Sequence, residues 1–282
     1  MNILVEHQTA YRYEKPVSFS PHTARIYPRP AQHLRVVEHI VIASADANLM
    51  PSVDAYGNIT SQIFFPGKHT ELLIDSTLKL EVRETNPFNF LLASHALNLP
   101  FLYKPEEYSV LAPFLLWMDA PLGADFLSPP FGSCPTVDTV VGYAAAIHSH
   151  IAYERREEGD ARSAVETLQL GSGSCRDTAV LLAEWLRQQG VAARLVSGYL
   201  CEFDVATADR RAEGALHAWV EAFLPGAGWL GLDPTNGVLA NENFIPLAVG
   251  LHPADVMPLS GSYFQDHPVA STMTTRLSLT PL

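Results

Sequence analysis

The spacing of apolar residues changes near Thr136, and this change limits the folds that the sequence can adopt. In the first 85 residues, short runs rich in Val, Ile and Leu partly alternate with polar residues, and prolines or turn residues such as Gly57 and Asn58 separate them. A period of two is typical of half-buried strands. From Thr136 onward, apolar residues recur at the three- and four-residue spacing of a helix. The sequence therefore predicts a β domain followed by a part that begins with helices.

The part after residue 135 predicts helices first and strands afterwards. Thr136 is predicted to be the N-cap of a helix that ends near Ile151, and residues 163–168 should form a short helical piece. A third helix should begin at Arg176 and stop at Gly190. Strand-like segments follow at residues 193–200, 217–224 and 229–232. Helices followed by strands in a row indicate the α+β class.

Four segments are expected along the chain. They are an antiparallel, sandwich-like β domain at residues 1–85, a connecting segment at 86–135, an α+β core at 136–260 and a tail at 261–282 with a last strand at 275–279. The connecting segment is rich in proline, but Phe101, Phe114 and Trp117 make it too apolar for a solvated linker. We therefore expect it to pack on both neighbouring parts.

Composition excludes several classes of partner. The chain has 18 Lys and Arg against 30 Asp and Glu, a net charge of −12, and no basic cluster, so nucleic-acid binding is not expected. The longest apolar run has nine residues and contains Pro113, whereas a membrane span needs roughly 20. The first eight residues include Glu6 and His7 and no apolar stretch of signal-peptide length. We expect a cytoplasmic protein that neither spans nor binds a membrane.

Cys175 is the candidate nucleophile. It follows the flexible Gly-Ser-Gly-Ser segment at residues 171–174 and precedes the third predicted helix. The partial positive charge of a helix N-terminus favours a thiolate, and the backbone N–H of Cys175 could donate to an oxyanion. The alternative is a small buried core residue. The three cysteines are too few and too widely spaced for a disulfide framework; Cys134 and Cys201 are interpreted as non-catalytic, with Cys201 partly exposed at a strand end.

A nucleophilic cysteine needs a base and a group that orients the base. His217 begins a predicted strand and could project from the sheet end towards a helix N-terminus. Asp233 ends the next strand, so an antiparallel pairing of the two strands would bring Asp233 and His217 to the same sheet end. The alternatives are a structural histidine and an Asx turn in which Asp233 precedes Pro234.

No metal or other cofactor is expected. His148 and His150 are two apart on a helix and face different directions, so they are poor paired ligands. His217 and Glu221 are four apart, which would suit a metal on a helix, but here they lie on a predicted strand. No spacing typical of an EF-hand calcium loop is present.

Four motifs of the second half resemble, in order and spacing, the successive motifs of the bacterial transglutaminase-like superfamily. They are Gly-Ser-Cys-Arg-Asp at 173–177, Leu-Val-Ser-Gly-Tyr at 195–199, His-Ala-Trp-Val-Glu at 217–221 and Gly-Trp-Leu-Gly-Leu-Asp-Pro-Thr at 228–235. In the first half, residues 7–13 with Pro16, 25–30 and 54–58 resemble the β domain that precedes this core in one bacterial branch.

This resemblance implies a papain-like core with a triad of Cys175, His217 and Asp233. It also implies thiol-dependent acyl transfer at an amide bond of a peptide or protein, through a thioester that water or an amine resolves. Peptidase, amidase and transamidase activities all remain open. One alternative is a catalytically idle transglutaminase-like scaffold or protein-binding module. Another is that the N-terminal β domain is the functional half and binds a protein or glycan partner, with the core as an accessory.

Further residues receive weaker assignments around the triad. Tyr153 is predicted to supply a second oxyanion donor, Asp177 to contact substrate or to pair with Arg176 or Arg194, and Trp219 to line the groove. The alternatives are packing for the two aromatic residues and helix N-terminal charge for Asp177. The charged segment at 207–214 is expected to gate the cleft or to be a solvated loop. The sequence sets no oligomeric state.

Overall fold

The N-terminal part of the chain is built from strands, as the alternation of its apolar residues predicts. The computed structural model describes residues 1–44, 46–127, 132–156, 159–201 and 215–282. Its first six strands are β1 (Asn2–Phe19), β2 (His22–Ala24), β3 (Leu34–Ala43), β4 (Asn48–Val53), β5 (Ile59–Phe64) and β6 (His69–Val82). In β6, buried Leu72, Ile74, Leu78 and Leu80 alternate with less buried polar residues, which is the period-two pattern of a half-buried strand.

The connecting segment contains little regular structure. Its elements are β7 (Asn98–Leu99), α1 (Pro105–Leu111) and β8 (Cys134–Pro135), with 3-10 turns at Ser94–Ala96, Ala112–Leu115 and Asp125–Leu127. β7 and β8 pair with each other. Phe101 and Leu127 belong to the apolar cluster of the following core, so these parts of the segment pack on the core, whereas Leu91, Leu102 and Trp117 are exposed.

Helices and then strands follow, as predicted. The elements are α2 (Thr136–His150), β9 (Ala152–Tyr153), α3 (Ala164–Leu170), β10 (Ser172–Gly173), α4 (Cys175–Gln188), β11 (Ala193–Leu200), β12 (Ala215–Leu224), β13 (Gly228–Asp233), β14 (Val238–Leu239) and β15 (Phe244–Gly250). A 3-10 turn at Pro253–Val256 precedes β16 (Leu259–Ser260), β17 (Tyr263–Phe264) and β18 (Ser271–Pro281). The α+β class is confirmed.

One helix boundary differs from its prediction. Thr136 is the first residue of α2 and not its N-cap, which is Pro135. The Thr136 hydroxyl donates to the carbonyl of Ala96 at 2.7 Å, so it ties α2 to the connecting segment. After α4, Gly190 has a φ of 75°, a left-handed conformation that glycine adopts without steric cost, and it ends the helix as predicted.

The second half of the chain contains a five-stranded antiparallel sheet in the order β14-β13-β12-β11-β15. Helix α4 packs on one face, where its apolar stripe meets alternate residues of β12 such as Val220 and Ala222. β13 pairs with β12 only from Val220 onward, because β13 ends at Asp233. The first part of β12, which carries His217, therefore extends beyond the end of β13.

The N-terminal domain has two sheets. One follows the order β17-β1-β6-β3, with β18 also paired to β1, and the other follows β16-β2-β5-β4. β18 pairs with β1 from Ile3 opposite Pro281 to Tyr13 opposite Ser271. The last strand is thus longer than the expected 275–279, and it completes the first sheet of the chain.

The domain and the core share a closely packed boundary. Apolar residues of β1, β6 and β18 pack against Tyr199, Ile245 and Leu247 of the core sheet. The buried side chain of Asn58 accepts from the N–H of Val249 at 2.8 Å and donates to its carbonyl at 2.8 Å. Asn58 thereby satisfies the backbone of β15 as a neighbouring strand would. Among the described helices, none combines the length and apolar character that crossing a membrane requires.

Candidate active site

Cys175 lies at the N-terminus of the helix that packs on the core sheet. Ser174 is the N-cap of α4, and both its backbone N–H and its hydroxyl donate to Asp177, at 2.8 and 2.9 Å. Cys175 is partly exposed, while Cys134 and Cys201 are buried. The expectation that Cys201 is partly exposed is wrong: burial raises the pKa of its thiol to about 12.

His217 contacts both other members of the predicted triad. Its Nε2 lies 2.9 Å from Oδ2 of Asp233, and its ring is close enough to the thiol of Cys175 that each of the two groups shifts the pKa of the other. Because Asp233 engages Nε2, Nδ1 is the nitrogen left for the sulfur. The backbone N–H of Ala218, in the part of β12 that lies beyond the end of β13, also helps to lower the pKa of this thiol.

Asp233 is fully buried, and its carboxylate receives donors on both oxygens. Oδ2 accepts from His217 and from Nδ2 of Asn236 at 2.7 Å, and Oδ1 accepts from the N–H of Thr235 at 2.9 Å. β12 and β13 are antiparallel, as the sequence argument required. Both interpretations of Asp233 therefore hold at once, since it contacts His217 and also forms a local turn.

The three groups shift one another's protonation. Burial raises the pKa of the Cys175 thiol, but the hydrogen bond and charge of His217 outweigh burial and hold it below its usual range. Burial lowers the pKa of His217, but the bonds to Asp233 and Cys175 raise it to about 9. Burial likewise raises the pKa of Asp233, which its donors hold below its usual value. The arrangement therefore favours a thiolate beside an imidazolium at neutral pH.

Trp219 packs beside His217, and the residue is only 2% exposed. The two rings stack with centroids 6.3 Å apart and an interplanar angle of 22°. A Cβ at Gly198 would lie 2.6 Å from Cη2 of Trp219 and 2.1 Å from the carbonyl oxygen of Ile245, so glycine is required there. The structure supports the packing alternative for Trp219 and not the substrate contact, because so buried a ring is covered on all sides.

Asp177 is fully buried and stabilises the start of α4. Its carboxylate accepts two bonds from Arg156, at 2.9 and 2.8 Å, and one from the N–H of Arg162 at 2.7 Å. The expected pairing with Arg176 or Arg194 is wrong, because Arg156 occupies the Asp177 carboxylate instead. Since it is buried and fully engaged, Asp177 has a structural position and no access to substrate.

Arg176 and Arg194 have other partners. Arg176 donates to the backbone carbonyls of Gly159 and Arg156, at 2.8 and 3.0 Å. Arg194 forms an ion pair with Glu221 at 2.6 Å, on the neighbouring strand of the core sheet. Arg176, like Asp177, therefore connects the nucleophile helix to Arg156.

Tyr153 lies next to the segment that leads into Cys175. It pairs with Gly173 in the short parallel ladder of β9 and β10, and its residue is 62% exposed. Partial burial and then the nearby Cys175 thiolate raise the pKa of its phenol. The placement is compatible with an oxyanion donor, and that role stays a prediction.

The sequence analysis did not predict the contacts of several residues around the site. Ser174 and Asp177 form a Ser-x-x-Asp capping box, a signal that the sequence does contain. Arg156 and Asn236 carry no local signal, because their partners are set by the tertiary fold. The charged segment at 207–214 lies outside the described residues. Within the part of the chain that is described, no group of three or more His, Cys, Asp or Glu is placed to hold a metal ion.

Comparisons with known proteins find relatives for both halves of the chain. The model of the bacterial transglutaminase-like N-terminal region matches residues 3–81, and that of the transglutaminase-like superfamily matches residues 132–234. An uncharacterised protein of Mycobacterium tuberculosis is 32% identical over 270 residues, covering 91% of this chain and 86% of the relative. One of Mycobacterium leprae is 28% identical over 260 residues, covering 92% of each.

A solved structure shares the fold over nearly the whole length. It is a cysteine protease candidate from Cytophaga hutchinsonii, with a TM-score of 0.72 and 16% identity, and the match covers 99% of this chain and 90% of that one. At this identity the likeness shows a common fold. Together with the family models and the mycobacterial relatives, it places the chain in the bacterial transglutaminase-like superfamily, to which it belongs.

Proposed function

We propose that the protein is a thiol-dependent enzyme that transfers the acyl group of a peptide or protein amide through Cys175, His217 and Asp233. The observation that carries the proposal is the bond of 2.9 Å from the imidazole of His217 to the buried carboxylate of Asp233, with the thiol of Cys175 beside the same ring. In this arrangement the pKa of the thiol is lowered and that of the imidazole is raised. Membership of the family supports a papain-like thiol enzyme, and the specific reaction is our inference.

In the first half of the reaction, the thiolate of Cys175 attacks the carbonyl carbon of the amide. A C–S bond forms and the carbonyl π electrons move to the oxygen. The backbone N–H of Cys175 is available to this oxyanion, because the first N–H groups of a helix have no intrahelical acceptor. The Tyr153 hydroxyl is the proposed second donor. His217 then gives its Nδ1 proton to the amine nitrogen, the C–N bond breaks, and a thioester remains.

In the second half, a nucleophile releases the acyl group from the sulfur. Neutral His217 takes a proton from water or from an amine as that molecule attacks the thioester carbonyl. The C–S bond breaks and the electron pair returns to Cys175 as a thiolate. Water gives hydrolysis and an amine gives transamidation, and the proposal includes both. Asp233 holds the ring of His217 in position throughout and stabilises its protonated form.

The first experiment is the pH profile of iodoacetamide alkylation at Cys175, followed by peptide mass spectrometry. We expect Cys175 to react well below the ordinary thiol pKa of about 8.5, because His217 stabilises the thiolate. Glutathione supplies the reference for an unperturbed thiol, and buried Cys134 and Cys201 report whether the protein has unfolded. In His217→Ala the advantage of Cys175 should disappear.

Two results would contradict the proposal. Cys175 could follow the profile of glutathione, or it could keep its low midpoint in His217→Ala. Either result would favour the catalytically idle scaffold among the alternatives from the sequence.

A further inference from the structure

Asp233 needs more than one donor to remain charged in its position. Its residue is fully buried, and a buried carboxylate is costly unless hydrogen bonds satisfy its oxygens. On Oδ2, the oxygen that contacts His217, the second donor is Nδ2 of Asn236. That contact, at 2.7 Å, is shorter than the 2.9 Å from Nε2 of His217 to the same oxygen.

The turn that carries Asn236 is attached to two helices. The N–H of Gly237 donates to the carbonyl of Asp233 at 2.8 Å, which closes the turn. Thr235, the residue before Asn236, contacts α4 through the hydroxyl of Thr178 at 3.1 Å. The carbonyl oxygen of Thr235 lies 2.6 Å from Nδ1 of His148 on α2. Asn236 is therefore held in place by α4 and α2 as well as by the backbone of Asp233.

We propose that Asn236 is a positioning residue for the acyl-transfer reaction, and that it fixes the Asp233 oxygen that orients the ring of His217. This inference rests on the proposed function. The amide of Asn236 is suited to the role because it donates to Asp233 without adding charge. The residue is otherwise exposed to solvent. Without the amide, water can reach Oδ2 but is not held in one place. Asp233 then stabilises the protonated ring less well.

The test measures the titration of His217 by NMR in the Cys175→Ala protein, where no thiol contributes. Adding Asn236→Ala should lower the proton affinity of His217 about tenfold, which is one pH unit in the titration midpoint. Asn241→Ala is the matched control. Oδ1 of Asn241 accepts from the N–H of Asn243 at 3.0 Å in the following loop, so this substitution also removes a turn contact and should leave the midpoint unchanged.

A second variant separates the donor from the size of the side chain. Asn236→Asp keeps the shape but replaces the donor with a carboxylate facing Asp233. With Cys175 present, we expect both Asn236→Ala and Asn236→Asp to move the alkylation midpoint of Cys175 to higher pH, because each variant removes the donor to Oδ2 of Asp233. Asn241→Ala should not move it.

The inference is overturned if the His217 midpoint in Asn236→Ala equals that of the control, or if Asn236→Asp alkylates like the wild type. Failure of the proposed function gives a different result, namely an unperturbed Cys175 in the wild-type protein. The His217 titration does not depend on that result, so it decides the role of Asn236 in either case.

Discussion

Individual side chains of the site determine whether Cys175 and His217 form a charged pair. Burial alone would leave both groups neutral, because it raises the pKa of a thiol and lowers that of an imidazole. The hydrogen bond between them and the carboxylate of Asp233 reverse both tendencies. The charged pair is therefore a consequence of three side chains together, and the pH range in which it exists depends on each of them.

Asp233→Asn tests the upper end of that range. The pKa of His217 is raised to about 9, so the ring keeps its proton below that pH and loses it above. In the wild type we expect a second change in the rate of Cys175 alkylation near pH 9. In Asp233→Asn this change should move to lower pH, because the carboxylate no longer stabilises the charged ring. The measurement is the alkylation rate from pH 5 to 10.

A matched carboxylate on the same sheet provides the control. Glu221 lies on β12, as His217 does, and pairs with Arg194. Glu221→Gln should leave the step near pH 9 in place. If the two variants give the same profile, Asp233 does not set the protonation of His217.

At the scale of elements, the start of α4 depends on a buried charge as well as on backbone capping. Asp177 closes the capping box with Ser174 and also receives Arg156 and the N–H of Arg162. It thus attaches Arg156 and Arg162 to the nucleophile helix. Loss of the Asp177 carboxylate would leave the Arg156 guanidinium and the N–H of Ser174 without this acceptor, so the start of α4 and its contact with Arg156 should be lost together.

Asp177→Ala should therefore destabilise the protein by about 3 kcal/mol or more, as breaking a largely buried ion pair does. Glu166→Ala is the comparison, since Glu166 occupies the same third position in the capping box of α3 but is exposed. Its cost should be about 1 kcal/mol. Urea denaturation measures both. Equal losses would mean that the buried ion pair adds nothing beyond capping.

The elements differ in how well the sequence predicts them. The strand at Ala193–Leu200 and the end of the nucleophile helix follow from local spacing and from Gly190. The antiparallel pairing of β12 and β13 follows from the short turn between them, and this pairing brings His217 and Asp233 together. The contact of Arg156 with Asp177 spans 21 residues and depends on the path of a loop, which no periodicity reports.

At the scale of the whole molecule, the N-terminal domain is part of the framework that supports the site. It packs against Tyr199 on β11 and Ile245 on β15, two strands of the sheet that carries His217. The turn at 54–58 contributes Asn58, whose side chain hydrogen-bonds to both backbone groups of Val249. The resemblance indicated this turn as a motif, but its contact with β15 is visible only once the two parts of the chain are assembled.

Asn58→Ala should destabilise the protein by about 3 kcal/mol, because it leaves the N–H and the carbonyl of Val249 buried without their partner. Asn48→Ala removes an exposed amide of the same domain and should change the free energy of unfolding by less than about 0.5 kcal/mol. Both values come from urea denaturation. A small loss in Asn58→Ala would show that water replaces the amide and that the boundary is less tightly closed than its burial indicates.

The pairing of β1 with β18 has a consequence for synthesis on the ribosome. Ile3 is synthesised long before its partner Pro281, which lies near the other end of this sequence. At roughly 5–20 residues per second, one edge of β1 waits on the order of ten seconds or more for its neighbour. β6 can cover the other edge much earlier. A nascent chain therefore presents an open strand edge, to which chaperones or other nascent chains can bind, until translation brings β18 out of the exit tunnel.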